Sequence, residues 1–274
     1  MKRLKPPMSY WGGKHFATPL IMNYVPPHIE QAVTPFIGGG SVEINLAANG
    51  INVVAGDVFR PMANFWRVLV DPELNGQMRT IIHETVCPTK AAWQRMKREH
   101  DRIKDPAQRA AWLYLINLHS FSGYTFNGNS YIERPSRALG TVDDLAKYAG
   151  LPLKAHHCDF AHLLKTPTDQ ALIYCDPPYS KQHDVRYCYG VDRQDEEFNH
   201  ARLAGYLQRH KYWLLSYDNT PVIRELYQGC HYITPEYFWT SGNKREHKMK
   251  KANELLIMSD GLAAACPSIA PTKL

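Results

Sequence analysis

The chain has no CxxC pair, and its six cysteines (Cys87, Cys158, Cys175, Cys188, Cys230 and Cys266) are scattered. That spacing argues against a zinc site or a disulfide framework and for reduced thiols. The histidines show no ligand spacing either, so no metal is expected. No stretch approaches the roughly 18 apolar residues that a membrane span requires. The start, Met1-Lys2-Arg3-Leu4-Lys5-Pro6-Pro7, is positive but has no apolar core after it, so no signal peptide is expected and the cytoplasm is the expected location. Neither GxGxxG nor GxxxxGK[ST] occurs, which disfavours a dinucleotide-dependent oxidoreductase and a P-loop enzyme. No internal repeat is visible.

What remains is ordinary for a globular protein: 274 residues, 44% hydrophobic and 21% charged. Such a length holds two domains, or one large domain with an insertion. The net charge of +6 is modest but unevenly spread. Residues 90–109 contain Lys90, Arg95, Lys97, Arg98, Arg102, Lys104 and Arg109 against Glu99, Asp101 and Asp105. In residues 244–251, Lys244 and Arg245 begin a second basic run opposed only by Glu246. Clusters of this kind attract phosphate backbones, although a solvated helix face looks the same.

Three regions succeed one another along the chain. Residues 31–37 read as a strand leading into Gly38-Gly39-Gly40-Ser41, residues 42–49 as a helix stopped by Gly50, and residues 51–57 as a second strand ending on Asp57. That order opens an α/β nucleotide-binding sheet. Residues 71–150 change to helical character. Trp93, Met96, His100 and Ile103 share one face, and Asp105-Pro106 caps a helix on which Trp112, Leu115, Ile116 and His119 align. Both histidines keep apolar company and read as packed or half-exposed rather than catalytic. The aromatic-rich residues 121–129 come next, with an Asn127-Gly128 hairpin turn. Region three resumes α/β character, with strands at 171–175, 212–217 and 254–258 and a helix around 198–210. From Gly261 onward the chain reads as a loose tail.

Two constellations suggest chemistry. The glycine turn before a helix allows close backbone approach and presents free N–H groups. Asp57 lies 19 residues after Gly38, about the separation at which an acid meets ribose hydroxyls. A nucleoside ligand suits this pattern; a tight loop without ligand is the bland alternative. The second constellation is Asp176-Pro177-Pro178-Tyr179, at the end of the apolar run 171–175. The prolines stop the strand and stiffen the chain beyond it. The Asp176 carboxylate and the Pro177 carbonyl are two acceptors at a set angle, matched to the two N–H bonds of an exocyclic NH2 group. Tyr179 is placed to stack on the ring bearing that group, as for an adenine flipped from a duplex.

Taken in order, Tyr10-Trp11-Gly12-Gly13-Lys14, Pro35-Phe36-Ile37-Gly38-Gly39-Gly40-Ser41, Asp57, Cys158-Asp159-Phe160, Asp176-Pro177-Pro178-Tyr179, Phe198-Asn199-His200 and Asn253-Glu254-Leu255-Leu256-Ile257 resemble the Dam-type (D12 class) DNA adenine-N6 methyltransferases. The resemblance implies an α/β, Rossmann-like sheet that binds S-adenosylmethionine. Residues 1–70 and 151–260 would form the catalytic domain, with residues 71–150 as an inserted, mainly helical target-recognition domain. It also implies site roles. Tyr10, Trp11, Lys14, Phe36, Gly38, Gly40, Ser41, Asp57, Asp159, Phe160 and Asp176 would meet the cofactor, with Asp57 on the ribose and Asp159 and Phe160 on the adenine. Tyr10 stands where the family usually has tryptophan, and Ser9 where it has lysine. Asp176, Pro177, Pro178 and Tyr179 would grip the target base. Double-stranded DNA is the implied partner, in a bacterial or phage-infected cell. Arg95, Lys97, Arg98, Tyr124, Asn127, Lys244 and Arg245 are its candidate contacts.

The implied reaction is a single in-line displacement, with N6 as nucleophile and proton loss afterwards; it needs neither a catalytic cysteine nor a metal. Rival substrates are cytosine N4, RNA adenine and a protein glutamine amide. A DNA-binding regulator that keeps the fold without activity is a further rival, disfavoured by intact Asp176 and Tyr179. GATC is the commonest target of the resembling family, and no base-reading residue transfers.

Overall fold

The computed structural model describes residues 2–10, 12–85, 89–120, 125–126, 131–133, 141–179, 198–235, 238–239, 250–251, 253–266 and 272–273. Ten short strands form an eight-stranded sheet and a separate two-stranded ribbon among these residues. Five strands are parallel neighbours: β3 (Leu153–His157), β2 (Asn52–Asp57), β1 (Gln31–Thr34), β4 (Ala171–Cys175) and β5 (Trp213–Asp218). Beyond β5 the sheet turns antiparallel through β9 (Glu254–Met258), β6 (His231–Ile233) and β10 (Thr272–Lys273). The ribbon pairs β7 (Phe238–Trp239) with β8 (Lys250–Lys251). This is the Rossmann-like α/β sheet expected from the sequence.

The chain builds outward from β1 to β2 and β3, then returns to lay β4 on the other side of β1. That reversal opens a crevice beyond the carboxyl ends of β1 and β4, where ligands bind in open α/β sheets. Residues of β4, β5 and β9 are buried throughout, as expected for central strands covered on both faces. β1 is shorter than the expected 31–37 because Pro35 has no N–H for the ladder.

Helices flank the sheet: α1 (Thr18–Met22), α2 (Glu43–Ala48), α3 (Arg60–Val70), α4 (Pro72–Glu84), α5 (Lys90–Glu99), α6 (Pro106–Leu118), α7 (Phe160–Leu164), α8 (His200–Leu207), α9 (Pro221–Leu226) and α10 (Asp260–Ala265). Local chemistry sets their starts. The Asp71 carboxylate accepts from the N–H groups of Glu73 and Leu74, and the Asp105 carboxylate from Gln108 N–H at 2.6 Å. Asn199 caps α8 through Arg202 N–H at 2.8 Å. A side-chain acceptor at each cap satisfies a donor that the helix leaves orphaned.

In the segment 71–150, expected as an inserted recognition domain, Trp93 and Met96 of α5 and Ala110, Leu113 and Ile116 of α6 join one continuous core with Phe65 and Trp66 of α3 and Val53 of β2. The helical segment extends the main core because its apolar faces have α3 to pack on. One expectation changes here: the residues from Gly261 onward were expected as a loose tail. Ser259 instead accepts from Leu262 N–H at 3.1 Å and starts α10, whose Leu262 and Ala263 are buried, and β10 adds an edge strand. His100 and His119 are both buried, the packed of the two alternatives that their company in the sequence left open.

Candidate active site

The glycine turn leaves β1 and enters α2. Gly38 and Gly40 hold φ of +42° and +65°, where an L side chain is strained. The space that their absent Cβ atoms would occupy belongs to rings of the chain itself. A Cβ on Gly38 would lie 2.8 Å from Tyr10 Cε1, one on Gly39 2.7 Å from Tyr10 Cβ, and one on Gly40 2.1 Å from Trp66 Cζ2. Tyr10 and Trp66 therefore clasp the turn between them. The sequence reading, that these glycines serve close approach of a ligand, misses this second reason.

Asp57 ends β2 beside the turn and is nearly buried. Its Oδ2 accepts from Gly38 N–H at 3.1 Å and its Oδ1 from Phe59 N–H at 2.8 Å. Burial pushes its carboxyl up to about 6, although the two backbone donors oppose that shift. Just past the next strand over, β3, Asp159 caps α7 through Ala161 N–H at 2.9 Å and pairs with Arg202 at 3.0 Å. The Arg202 guanidinium lies 4.8 Å over the Phe160 ring. Phe36, Phe160 and Phe198 form a triangle of rings with centroids 5.6, 5.7 and 5.6 Å apart. This apolar, flat-walled patch beside an exposed carboxylate suits a heteroaromatic ring bearing donors.

Across the crevice, β4 delivers Asp176. Lys14, 4% exposed, reaches it from the N-terminal segment, with Nζ at 2.9 Å from Asp176 Oδ1. The same Nζ donates to Gly12 O at 2.8 Å and sits 5.0 Å from the centroid of Tyr179. Tyr179 packs on Tyr217 at 5.9 Å, and Tyr217 in turn meets His200 through its hydroxyl. Pro177 is buried and Pro178 half-buried. Burial drives the Asp176 carboxyl up to about 6; Lys14 pulls it down and Glu254 pushes it further up.

Sequence reasoning missed a second acid here. Glu43, the first residue of α2, is 3% exposed, and burial drives its carboxyl up to about 8, with Asp176 adding repulsion. The visible clue was a lone acid among Val42, Ile44, Leu46 and Ala47. Trp66 and Arg202 were missed too, and Phe198, quoted only as part of a motif, was given no role. Each is assembled from distant segments, so spacing alone carries no trace of it.

Ser41 is buried at the turn, and its Oγ has no hydrogen-bond partner among the described residues. The structure thus brings together Tyr10, Lys14, Gly38, Gly40, Ser41, Asp57, Asp176 and Tyr179, with Phe36, Asp159 and Phe160 alongside. On α5, Arg95 and Arg98 are exposed, while Lys97 lies over the Trp93 ring at 4.4 Å. Arg109, counted with that basic cluster, is buried at 8% exposure and donates to Ile103 O. Trp11, Tyr124, Asn127, Lys244 and Arg245 lie outside the described residues.

A family model described as D12 class N6 adenine-specific DNA methyltransferase matches residues 10–240. The chain belongs to this family. Its relatives include the DNA adenine methylase of Escherichia coli (strain K12), 24% identical over 243 residues, covering 83% of this chain and 86% of the relative. The DNA adenine methylase of Haemophilus influenzae is 24% identical over 247 residues, covering 83% and 84%. The DNA N-6-adenine-methyltransferase of Escherichia phage P1 is 26% identical over 245 residues, covering 83% of this chain and 31% of that longer protein. This D12 methyltransferase therefore has its match across both halves of the crevice, from Tyr10 to beyond β7. Among its described residues no helix is long and apolar enough to cross a membrane, and no group of His, Cys, Asp and Glu could hold a metal ion.

Proposed function

We propose that the chain transfers a methyl group from S-adenosylmethionine to N6 of an adenine turned out of duplex DNA. The observation that carries this reading is the pairing of Asp176 with Lys14 at 2.9 Å, at the carboxyl end of β4 and next to the glycine turn of β1. The residues fit the cofactor. Asp57 has carboxylate lone pairs left for ribose hydroxyls, and Asp159 with the Phe36, Phe160 and Phe198 rings suits an adenine. The glycine turn and Ser41 supply polar atoms for the methionine end. When bound, S-adenosylmethionine supplies a methyl group already activated on a sulfonium.

The chain's own residues then have three tasks. Asp176 and the Pro177 carbonyl accept the two hydrogens of the target NH2, which withdraws the nitrogen lone pair from the ring and aims it. Tyr179, braced by Tyr217, offers a face for the flipped base. Lys14 holds one oxygen of Asp176, so the carboxylate meets the amine in a set orientation. Tyr10, Pro178 and Phe160 line or support these groups. The proton lost from N6 passes to solvent after transfer. Arg95, Lys97 and Arg98 on α5, in the segment 71–150 proposed for target recognition, supply positive charge for the phosphate backbone.

The test is direct. Purified protein is incubated with methyl-labelled S-adenosylmethionine and duplex DNA, the DNA is digested, and the nucleosides are separated by chromatography. Label in N6-methyladenine is expected. Label in N4-methylcytosine, label in RNA or protein alone, or no transfer refutes the proposal.

A further inference from the structure

Gly38 is held at both of its peptide groups. Its N–H donates to Asp57 Oδ2 at 3.1 Å, and its carbonyl accepts from Trp66 Nε1–H at 2.8 Å. Trp66 lies on α3, with its side chain fully buried. The residue before that helix, Phe59, donates its N–H to the other oxygen of Asp57 at 2.8 Å. Asp57, Gly38, Trp66 and the first turn of α3 thus form a closed ring of interactions. The indole of Trp66 also fills the place of a Cβ on Gly40, at 2.1 Å. A turn with two glycines at positive φ has many alternative conformations; here one indole removes them, by a hydrogen bond at Gly38 and by packing at Gly40.

We propose that Trp66 is a positioning residue for cofactor binding, holding the glycine turn and the Asp57 carboxylate in one geometry. The inference rests on the reading that these groups bind S-adenosylmethionine. Trp66 is on a helix whose other face packs against α4 and α6, so it also ties the cofactor turn to the helical segment proposed to meet DNA. Its neighbour Asn64 is engaged elsewhere, donating to Pro106 O and accepting from Arg67.

The test begins with cofactor binding to the wild-type protein by calorimetry. Absence of binding there refutes the proposed function itself. Given binding, Trp66→Phe keeps an aromatic ring but removes the donor, leaving the Gly38 carbonyl unpaired in a buried place. About tenfold weaker cofactor affinity is expected, the usual loss for one such bond, with duplex DNA affinity unchanged. Amide hydrogen exchange across residues 37–41 should quicken in the cofactor-free variant, a change that a general loss of stability would spread over the whole sheet. Gly40→Ala, which pushes on the indole from the other side, should weaken cofactor binding while Trp66 is intact. Its effect should be smaller in the Trp66→Phe background, where the ring is shorter. Cofactor affinity unchanged in a folded Trp66→Phe protein, or unchanged by Gly40→Ala, overturns the proposal.

Discussion

Replacing Asp176 with asparagine separates what this residue does for the reaction from what it does for the fold. The carboxyl is driven from 3.8 to about 6 by burial, with the attraction of Lys14 already included in that balance. A folded-state value above the unfolded one means that the ionised form is disfavoured by folding. The stability cost begins as pH rises past the unfolded value and is complete above the folded one. At about 1.4 kcal/mol per unit, the cost at pH 7 is roughly 3 kcal/mol. A neutral amide of the same shape does not bear it, and the loss of Lys14's partner is already counted. The thermal midpoint of Asp176→Asn should therefore be at or above that of the wild type. Methyl transfer should fall at least ~100-fold, because one acceptor of the target NH2 becomes a donor and the charge is lost. Single-turnover transfer of labelled methyl to duplex DNA, with cofactor and DNA binding measured separately, checks the catalytic half; thermal unfolding checks the other. Transfer within tenfold of wild type would sink the role assigned to Asp176. A clear drop in thermal midpoint would show instead that the ion pair with Lys14 is a net support of the fold.

The same carboxyl gives a pH dependence: at saturating cofactor and DNA, the single-turnover rate should decline below about pH 6 as Asp176 protonates, and a rate flat down to pH 5 would contradict this. Saturation matters, because Asp57 also titrates at about 6 and would weaken cofactor binding in the same range. Glu43 is driven from 4.5 to about 8, so it costs stability increasingly as pH rises between those values. Glu43→Gln should leave stability unchanged below the lower value and raise it by up to about 3 kcal/mol at pH 7; urea unfolding at pH 4.5 and pH 8 giving equal differences would refute this. On α5, the double change Arg95→Ala, Arg98→Ala should reduce the slope of log DNA affinity against log salt by about two, one for each arginine that meets a phosphate. An unchanged slope would leave that face merely solvated.

How much of this was legible depends on where each feature's cause lies along the chain. β4 and β9 were readable to the residue, because a central parallel or antiparallel strand is an unbroken apolar run ended by its neighbours, here Asp176 and Ser259. β3 was not. It is an outer strand carrying Lys154, His156 and His157, and it is recognisable only through its pairing with β2. The loose tail was misread for the opposite reason. Ala- and Ser-rich composition suggested disorder, yet Ser259 caps a helix whose Leu262 finds a core built by residues far earlier in the sequence. In the site, Asp57, Asp176 and the glycines could be found because each sits at the end of a strand, a position that sequence pattern marks. Lys14 was found only through the resemblance, and its burial against Asp176 depends on a fold between residues 162 positions apart. Trp66 and the role of Glu43 were missed for a more basic reason. Nothing distinguishes an indole on an amphipathic helix as a hydrogen-bond donor until Gly38 presents its carbonyl, and the apolar neighbours of Glu43 hint at its burial without showing that it faces Asp176. The glycines show the limit most clearly. Their conformational freedom is a property of the sequence, but the rings that occupy the space of their missing side chains, Tyr10 and Trp66, are properties of the fold. A larger residue at Gly40 would therefore be rejected by α3 before any cofactor arrived.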